Sequence, residues 1–146
     1  MNYILMNESH VEQIADLEKQ CFSDPWSANS ILSELRNDLS LWIVAIDGER
    51  VVGYVGSQSV MGWSDMMNLA VSEEYRRQGI AEKLVNALIS ALRDRNNTCL
   101  TLEVRVSNLP AISLYEKMGF VCVGKRSNYY RNPKEDALIL RKEWQL

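Results

Sequence analysis

The hydrophobic period changes at Gly79, and that change restricts the fold more than any other feature of this 146-residue chain. Ile80, Leu84, Ala87, Leu88, Ala91 and Leu92 recur at three- and four-residue steps, which predicts an amphipathic helix from Gly79 to about Asp94. Cys99 to Val106 then alternates, with Leu100, Leu102, Val104 and Val106 on one face and Thr101, Glu103 and Arg105 on the other. A strand is expected just before the helix, from about Met66 to Val71. An apolar helical stripe set between strands has to be buried against a sheet.

The rest of the chain extends this pattern. A short first strand is expected at Tyr3 to Leu5, then a helix over about 8–22 carrying Val11, Ile14, Ala15, Leu17, Cys21 and Phe22. Asp24-Pro25-Trp26-Ser27 breaks that helix, and Ser27 caps a second one through about Asp38. Strands at 41–46 and 51–60 flank Asp47-Gly48, a hairpin signal. A short helix with Ala111, Leu114, Tyr115 and Met118 follows Pro110 and stops at Gly119, and strands at about 120–130 and 136–142 complete the chain. The order β-α-α-β-β-β-α-β-α-β-β describes an α/β fold, a single domain over residues 1–146 with a mixed sheet flanked by helices. Hydrophobic residues make up 47% of the chain, enough at this length for a sizeable core without disulfides or metal.

Scarce residue types exclude several chemistries. His10, the single histidine, falls in the polar opening of a helix, so histidine-based triads and histidine-rich metal sites are not expected. Cys21, Cys99 and Cys122 form no C-x-x-C pair and are read as small buried hydrophobes; no metal is expected. Proton transfers would run through carboxylates, tyrosines, water or backbone. The net charge of −3 argues against direct nucleic-acid binding. The longest apolar run, Leu41 to Ile46, is far short of the ~20 residues needed to cross a bilayer. The first eighteen residues hold no Lys or Arg, so a cytoplasmic enzyme without membrane contact is expected. Residues 1–49 carry two basic and nine acidic side chains, and the remainder is net positive. That asymmetry fits two solvated faces, or a basic side for a phosphorylated ligand and an acidic side for a cationic partner.

Arg76-Arg77-Gln78-Gly79-Ile80-Ala81 lies where the strand hands over to the helix. A helix start offers unpaired N–H groups and the positive end of the dipole, Gly79 allows close approach, and Ala81 keeps that approach open. The segment reads as a pyrophosphate cradle or as a basic turn before an ordinary helix. Its R/Q-x-x-G-x-G/A spacing resembles the acetyl-CoA motif of the GNAT superfamily of N-acetyltransferases. Asn68-Leu69-Ala70-Val71, Leu102-Glu103-Val104-Arg105, Ser107-Asn108, Leu114 to Phe120, Asn128-Tyr129-Tyr130 and Glu135-Asp136-Ala137 narrow the resemblance to the RimI type, the ribosomal-protein-alanine N-acetyltransferases. Pro25-Trp26-Ser27 also fits, and the likeness covers roughly residues 20–140.

The resemblance implies a GNAT-like fold and acetyl-CoA as cosubstrate. Leu69, Ala70 and Val71 would splay from the next strand and hold the pantetheine arm and thioester carbonyl; Arg76, Arg77, Gln78, Gly79, Ile80 and Ala81 would hold the pyrophosphate. Asn108 would take a further part of the cofactor; as residues alone, it also reads as a turn after the strand. Glu103 is the candidate base, since strand parity sets it opposite Leu102 and Val104; the plainer reading is a surface carboxylate paired with Arg105. Tyr115 is the candidate acid for the departing thiolate, against a plainer reading as a core residue with a satisfied hydroxyl. Tyr129 and Tyr130 shape an acceptor groove or are ordinary strand aromatics. A free α-amine has a pKa near ~7.8 and a lysine amine near ~10.4, so one carboxylate with water suits the α-amine better. The expected acceptor is the N-terminal alanine of a small-subunit ribosomal protein. The alternatives are transfer to a small amine or other protein N-termini, and a non-catalytic acyl-CoA-binding module.

Overall fold

Alternation along one central strand decides how the layers stack. Leu41, Ile43 and Ala45 join one buried cluster, and Trp42, Val44 and Ile46 join another on the opposite face of the sheet. A strand buried on both faces needs helices on both sides. A computed structural model describing residues 1–146 supplies them. The elements are β1 (Asn2–Leu5), α1 (Val11–Cys21), α2 (Ala28–Leu35), β2 (Ser40–Asp47), β3 (Arg50–Val60), β4 (Trp63–Val71), α3 (Ile80–Asp94), β5 (Cys99–Arg105), α4 (Leu109–Lys117), β6 (Val121–Arg131) and β7 (Lys134–Glu143). The order is the one the periodicity predicts.

The seven strands form one sheet in the order β1-β2-β3-β4-β5-β7-β6, with every neighbour antiparallel except β4 and β5. Helix α3 seats Leu84, Val85, Leu88 and Leu92 without exposure on one face, together with Tyr115 and Met118 from the α4 region. Helix α1 covers the other face with Val11, Ile14, Ala15 and Leu17, joined by Ile31 of α2. Each such Leu or Ile contributes about 1.5–3 kcal/mol by burial.

Strands β4 and β5 pair only from Trp63–Asp65 to Cys99–Thr101. Beyond that point β5 continues on β7 and β4 continues on β3, so the two diverge and leave a wedge in the middle of the sheet. The β3–β4 register shifts at Gly56/Ser57, where Met67 is the extra residue of a bulge.

Three expectations are corrected in detail. Helix α2 stops at Leu35 rather than near Asp38, because Asn37 turns the chain by accepting the Leu39 N–H at 2.9 Å. Cys122 is exposed and Cys21 half-buried; only Cys99 is a buried hydrophobe. Cys122 lies on β6, an edge strand whose outward positions nothing covers. His10 is buried and completes a capping box by accepting the Asn7 N–H at 3.0 Å.

Gly56 is the tightest point of the sheet. A Cβ added there would lie closer than 3.0 Å to three atoms of the Trp42 indole. That ring cannot withdraw: it stacks on Tyr54 at 5.7 Å, meets the edge of Trp26 at 5.5 Å, and its N–H donates to Glu34 at 3.3 Å. Gly56→Ala is therefore expected to destabilise the protein by about 1–3 kcal/mol through overpacking, read as a lower urea midpoint at unchanged m-value. A wild-type midpoint would show that the indole has room to move.

Candidate active site

The wedge between β4 and β5 exposes backbone that a continuous sheet would consume. Ser72 N–H donates to Val52 O at 2.8 Å, and ladder bonds alternate along an antiparallel pair. With Val71 opposite Gly53 and Leu69 opposite Val55, the polar groups of Leu69 and Val71 face the wedge, and those of Ala70 face β3. Arg76 Nε reaches the Val71 carbonyl from that side at 3.1 Å.

The chain then turns into α3 through Arg77 and Gly79, whose φ values are +64° and +78°. Gly79 takes the left-handed conformation without the steric cost a Cβ imposes. The amides from Gln78 to Glu82 donate to no acceptor within the chain. A Cβ built on Gly79 would meet nothing within 4 Å, so the space in front of these donors is open. Fanned amides at a helix N-terminus suit a diphosphate.

Leu69, Ala70, Val71, Gly79, Ile80 and Ala81 line one cleft of about 670 Å³, with Arg76 and Arg77 at the same wall. Gln78 is not on its wall. Both arginines are exposed; the Arg76 guanidinium spans Val71 O and the Cys21 sulfur at 3.6 Å, whereas the Arg77 side chain takes no hydrogen-bond partner within the chain. Asn108 lies apart from this cleft. It caps α4, its Oδ1 accepting the Ala111 N–H at 3.3 Å, and lines a second cleft.

That second cleft, about 970 Å³, holds Glu103, Met66, Asn68, Tyr129 and Tyr130. Phe22, Leu69, Ala111 and Tyr115 belong to the walls of both clefts and mark their junction. Tyr115 is 6% exposed, packs edge-on against Phe120 at 5.3 Å, and offers its hydroxyl only to the Met66 sulfur at 3.8 Å. A thioether is a weak acceptor, so the phenolic proton is readily redirected. Burial, reinforced by Tyr130, holds the Tyr115 hydroxyl well above the ordinary phenol range. It stays protonated throughout neutral pH, as an acid requires.

Glu103 pairs with Arg126 Nε at 3.1 Å, not with Arg105. Its Oε2 takes no partner within the chain. Arg105 instead clamps the β6–β7 turn, donating to Pro133 O at 2.8 Å, Asn132 O at 3.2 Å and Glu135 at 3.1 Å while lying 4.2 Å from the Tyr130 ring centroid. Glu135 also accepts the Ser107 N–H at 2.8 Å, and these contacts hold its carboxyl below the usual carboxylate range. Tyr130, half-buried beside this clamp, has its hydroxyl pushed up to about 12, chiefly by burial. Motif and parity did not single out Arg126, because β7 separates its strand from β5.

Behind Trp26 and Asn68, which line the second cleft, lies a carboxyl group missed in the sequence. Glu18 of α1 is fully enclosed; it accepts the Trp26 N–H at 2.9 Å, Asn68 Nδ2 at 2.7 Å and the Tyr54 hydroxyl. Burial raises its pKa, and the bonds from Trp26 and Asn68 oppose that rise. The available signal was a carboxylate at helical spacing from Val11, Ile14 and Ala15, inside an apolar stripe. No group of three His, Cys, Asp or Glu side chains is placed to hold a metal ion, and no helix is long and apolar enough to cross a membrane.

The acetyltransferase (GNAT) family matches residues 11–120, a span that includes the split between β4 and β5 and the amide-lined turn into α3. The chain belongs to the GNAT family, has its single-domain fold, and is an N-acetyltransferase. Within the family it stands with the ribosomal-protein-alanine N-acetyltransferases of the RimI type. The [ribosomal protein bS18]-alanine N-acetyltransferase of Escherichia coli (strain K12) is 33% identical over 126 residues, spanning 85% of this chain and 84% of that protein. A relative from Bacillus subtilis (strain 168) is 35% identical over 136 residues, 92% of this chain and 90% of its own. The crystal structure of the Escherichia coli ribosomal-protein-S18-alanine N-acetyltransferase superposes with a TM-score of 0.90 at 28% identity, covering 99% of this chain and 94% of that one. The NatC complex bound to Gag peptide and CoA contains a chain that superposes with a TM-score of 0.82 at 26% identity, covering 99% of this chain and all of that one.

Proposed function

We propose that this enzyme transfers the acetyl group of acetyl-CoA to the α-amine of a protein N-terminus, specifically the N-terminal alanine of a small-subunit ribosomal protein, in the cytoplasm. The observation that carries this reading is the meeting of two clefts at Tyr115 and Leu69, one beside fanned amides and the other beside an acceptor-only carboxylate. Acyl transfer between two substrates needs that arrangement: the donor enters from one side and the amine from the other. The names of the Escherichia coli and NatC proteins support the acceptor class and the use of CoA.

The chain's residues divide the work. The amides of Gln78 to Ala81, with Arg77 beside them, hold the diphosphate, and the wedge-facing amides of Leu69 and Val71 take the pantetheine arm and the acetyl oxygen as it gains charge. Glu103, directly or through one water, takes the proton the amine sheds as its nitrogen bonds to the acetyl carbon. Tyr115 gives its proton to the sulfur as the carbon–sulfur bond breaks. Ile80 and Ala81 pack the start of α3 so that those amides keep their direction, Arg76 fixes the edge of β4 through Val71, and Asn108 orients α4, which carries Tyr115.

Mass spectrometry of small-subunit ribosomal proteins incubated with the enzyme and acetyl-CoA tests this reading. One acetyl group on the α-amine of an alanine-starting protein is the expected result. Unmodified N-termini throughout, with acetylation of a small amine instead, would replace it.

A further inference from the structure

Glu18 is wholly enclosed, yet no cation pairs with it. Both of its oxygens act as acceptors, Oε1 toward Trp26 and Oε2 toward Tyr54 and Asn68, so each of the three neighbours turns a donor to it. Trp26 offers a backbone N–H and Tyr54 a hydroxyl; Asn68 alone has a choice of ends. Glu18 therefore compels Asn68 to turn its NH₂ inward and its carbonyl oxygen away. That Oδ1 accepts no hydrogen bond within the chain, is not sealed from solvent, and belongs to a side chain on the wall of the second cleft. Asn68 stands between the Met67 bulge and Leu69, whose polar groups face the wedge.

Resting on the reading of the second cleft as the acceptor channel, we infer that Asn68 binds the acceptor, its Oδ1 accepting a hydrogen bond from the α-amine or the first peptide N–H. Glu18 is the positioning residue that fixes the amide in this sense. The arrangement selects an acceptor end rich in donors. It also ties the segment leading into α2, through Trp26, to the strand beside the reacting carbonyl.

The conservative variant makes this testable. In Glu18→Gln, one end must still accept the immovable Trp26 N–H, so the new NH₂ points at Asn68 and Tyr54. Tyr54 can accept through its oxygen, and Asn68 can do so only by turning its carbonyl inward. The bonds survive, and the wrong end of Asn68 now faces the cleft. Steady-state kinetics on the full chain, with acetyl-CoA and a peptide beginning with alanine, is the experiment. Asn68→Ala and Glu18→Gln are each expected to raise the peptide KM about tenfold, with the acetyl-CoA KM unchanged. The double variant is expected to be no worse than either single one, since both remove the same contact. A purely structural Glu18 would leave the Glu18→Gln peptide KM at wild type, and that result overturns the inference. So does an unchanged peptide KM in Asn68→Ala or in Asn68→Ser, the latter serving if the alanine variant unfolds. A wild-type enzyme that acetylates no peptide α-amine would overturn the acceptor reading and this inference together; active wild type with unaffected variants would overturn this inference alone.

Discussion

Tyr115→Phe is expected to lower kcat by about 10²–10⁴-fold while acetyl-CoA binds as it does to wild type. The substitution removes one hydroxyl whose only partner is the Met66 sulfur, a contact too weak to matter to the fold. Packing against Phe120 is retained, so thermal unfolding should not move. The loss is expected on the chemical step, because Tyr115 alone among the residues shared by the two clefts carries a side-chain donor. The shift of the Tyr115 hydroxyl above the phenol range adds a second signature. Activity in the wild type should persist where an ordinary phenol, pKa ~10, begins to ionise. Presteady-state turnover and a calorimetric titration with CoA on the same variant separate the two effects. A variant with wild-type kcat would remove Tyr115 from the chemistry.

Glu103→Gln should cost about 10²-fold in kcat with the acetyl-CoA KM unchanged, since general-base assistance is lost and the shape of the cleft is kept. The Arg126 pair makes the comparison informative. Arg126 is half-exposed, and a solvated pair of this kind contributes little to stability, about 0–1 kcal/mol, so a fall in activity is not a fall in folding. The other oxygen of Glu103 takes no partner within the chain, which leaves it open to the amine proton in the proposed reaction. These two variants also separate an enzyme from a module that only binds acyl-CoA, for which there would be no turnover to lose.

Much of this architecture was readable because it depends on short-range pattern. The two-fold alternation of β2 and β5 and the helical spacing from Ile80 to Leu92 determine which faces are buried, and the element order follows. The start of α3 was legible for the same reason: a glycine just ahead of an amphipathic stripe is a local feature. What escaped depends on partners far apart in the chain. Glu103 was open to pairing with Arg105, its neighbour on the same face, yet the pairing of β6 with β7 brings Arg126 to it and sends Arg105 to Glu135. Asn108, given to the cofactor through the resemblance, caps α4 and lines the second cleft, a position that only the folded chain shows. Cys122 reads as core from its residue type and spacing; edge position, which no local pattern encodes, leaves it exposed. Glu18 was missed although it interrupts an apolar stripe, because its role depends on Trp26 and Asn68 converging on it from eight and fifty residues away.

Transfer to an α-amine at the junction of the two clefts is tested most directly by one pair of peptides. The first has a free N-terminal alanine and no lysine; the second has a blocked N-terminus and one internal lysine. From the cost of deprotonating each amine, kcat/KM at neutral pH should favour the first by at least about 10²-fold. Equal or faster acetylation of the lysine peptide would contradict it.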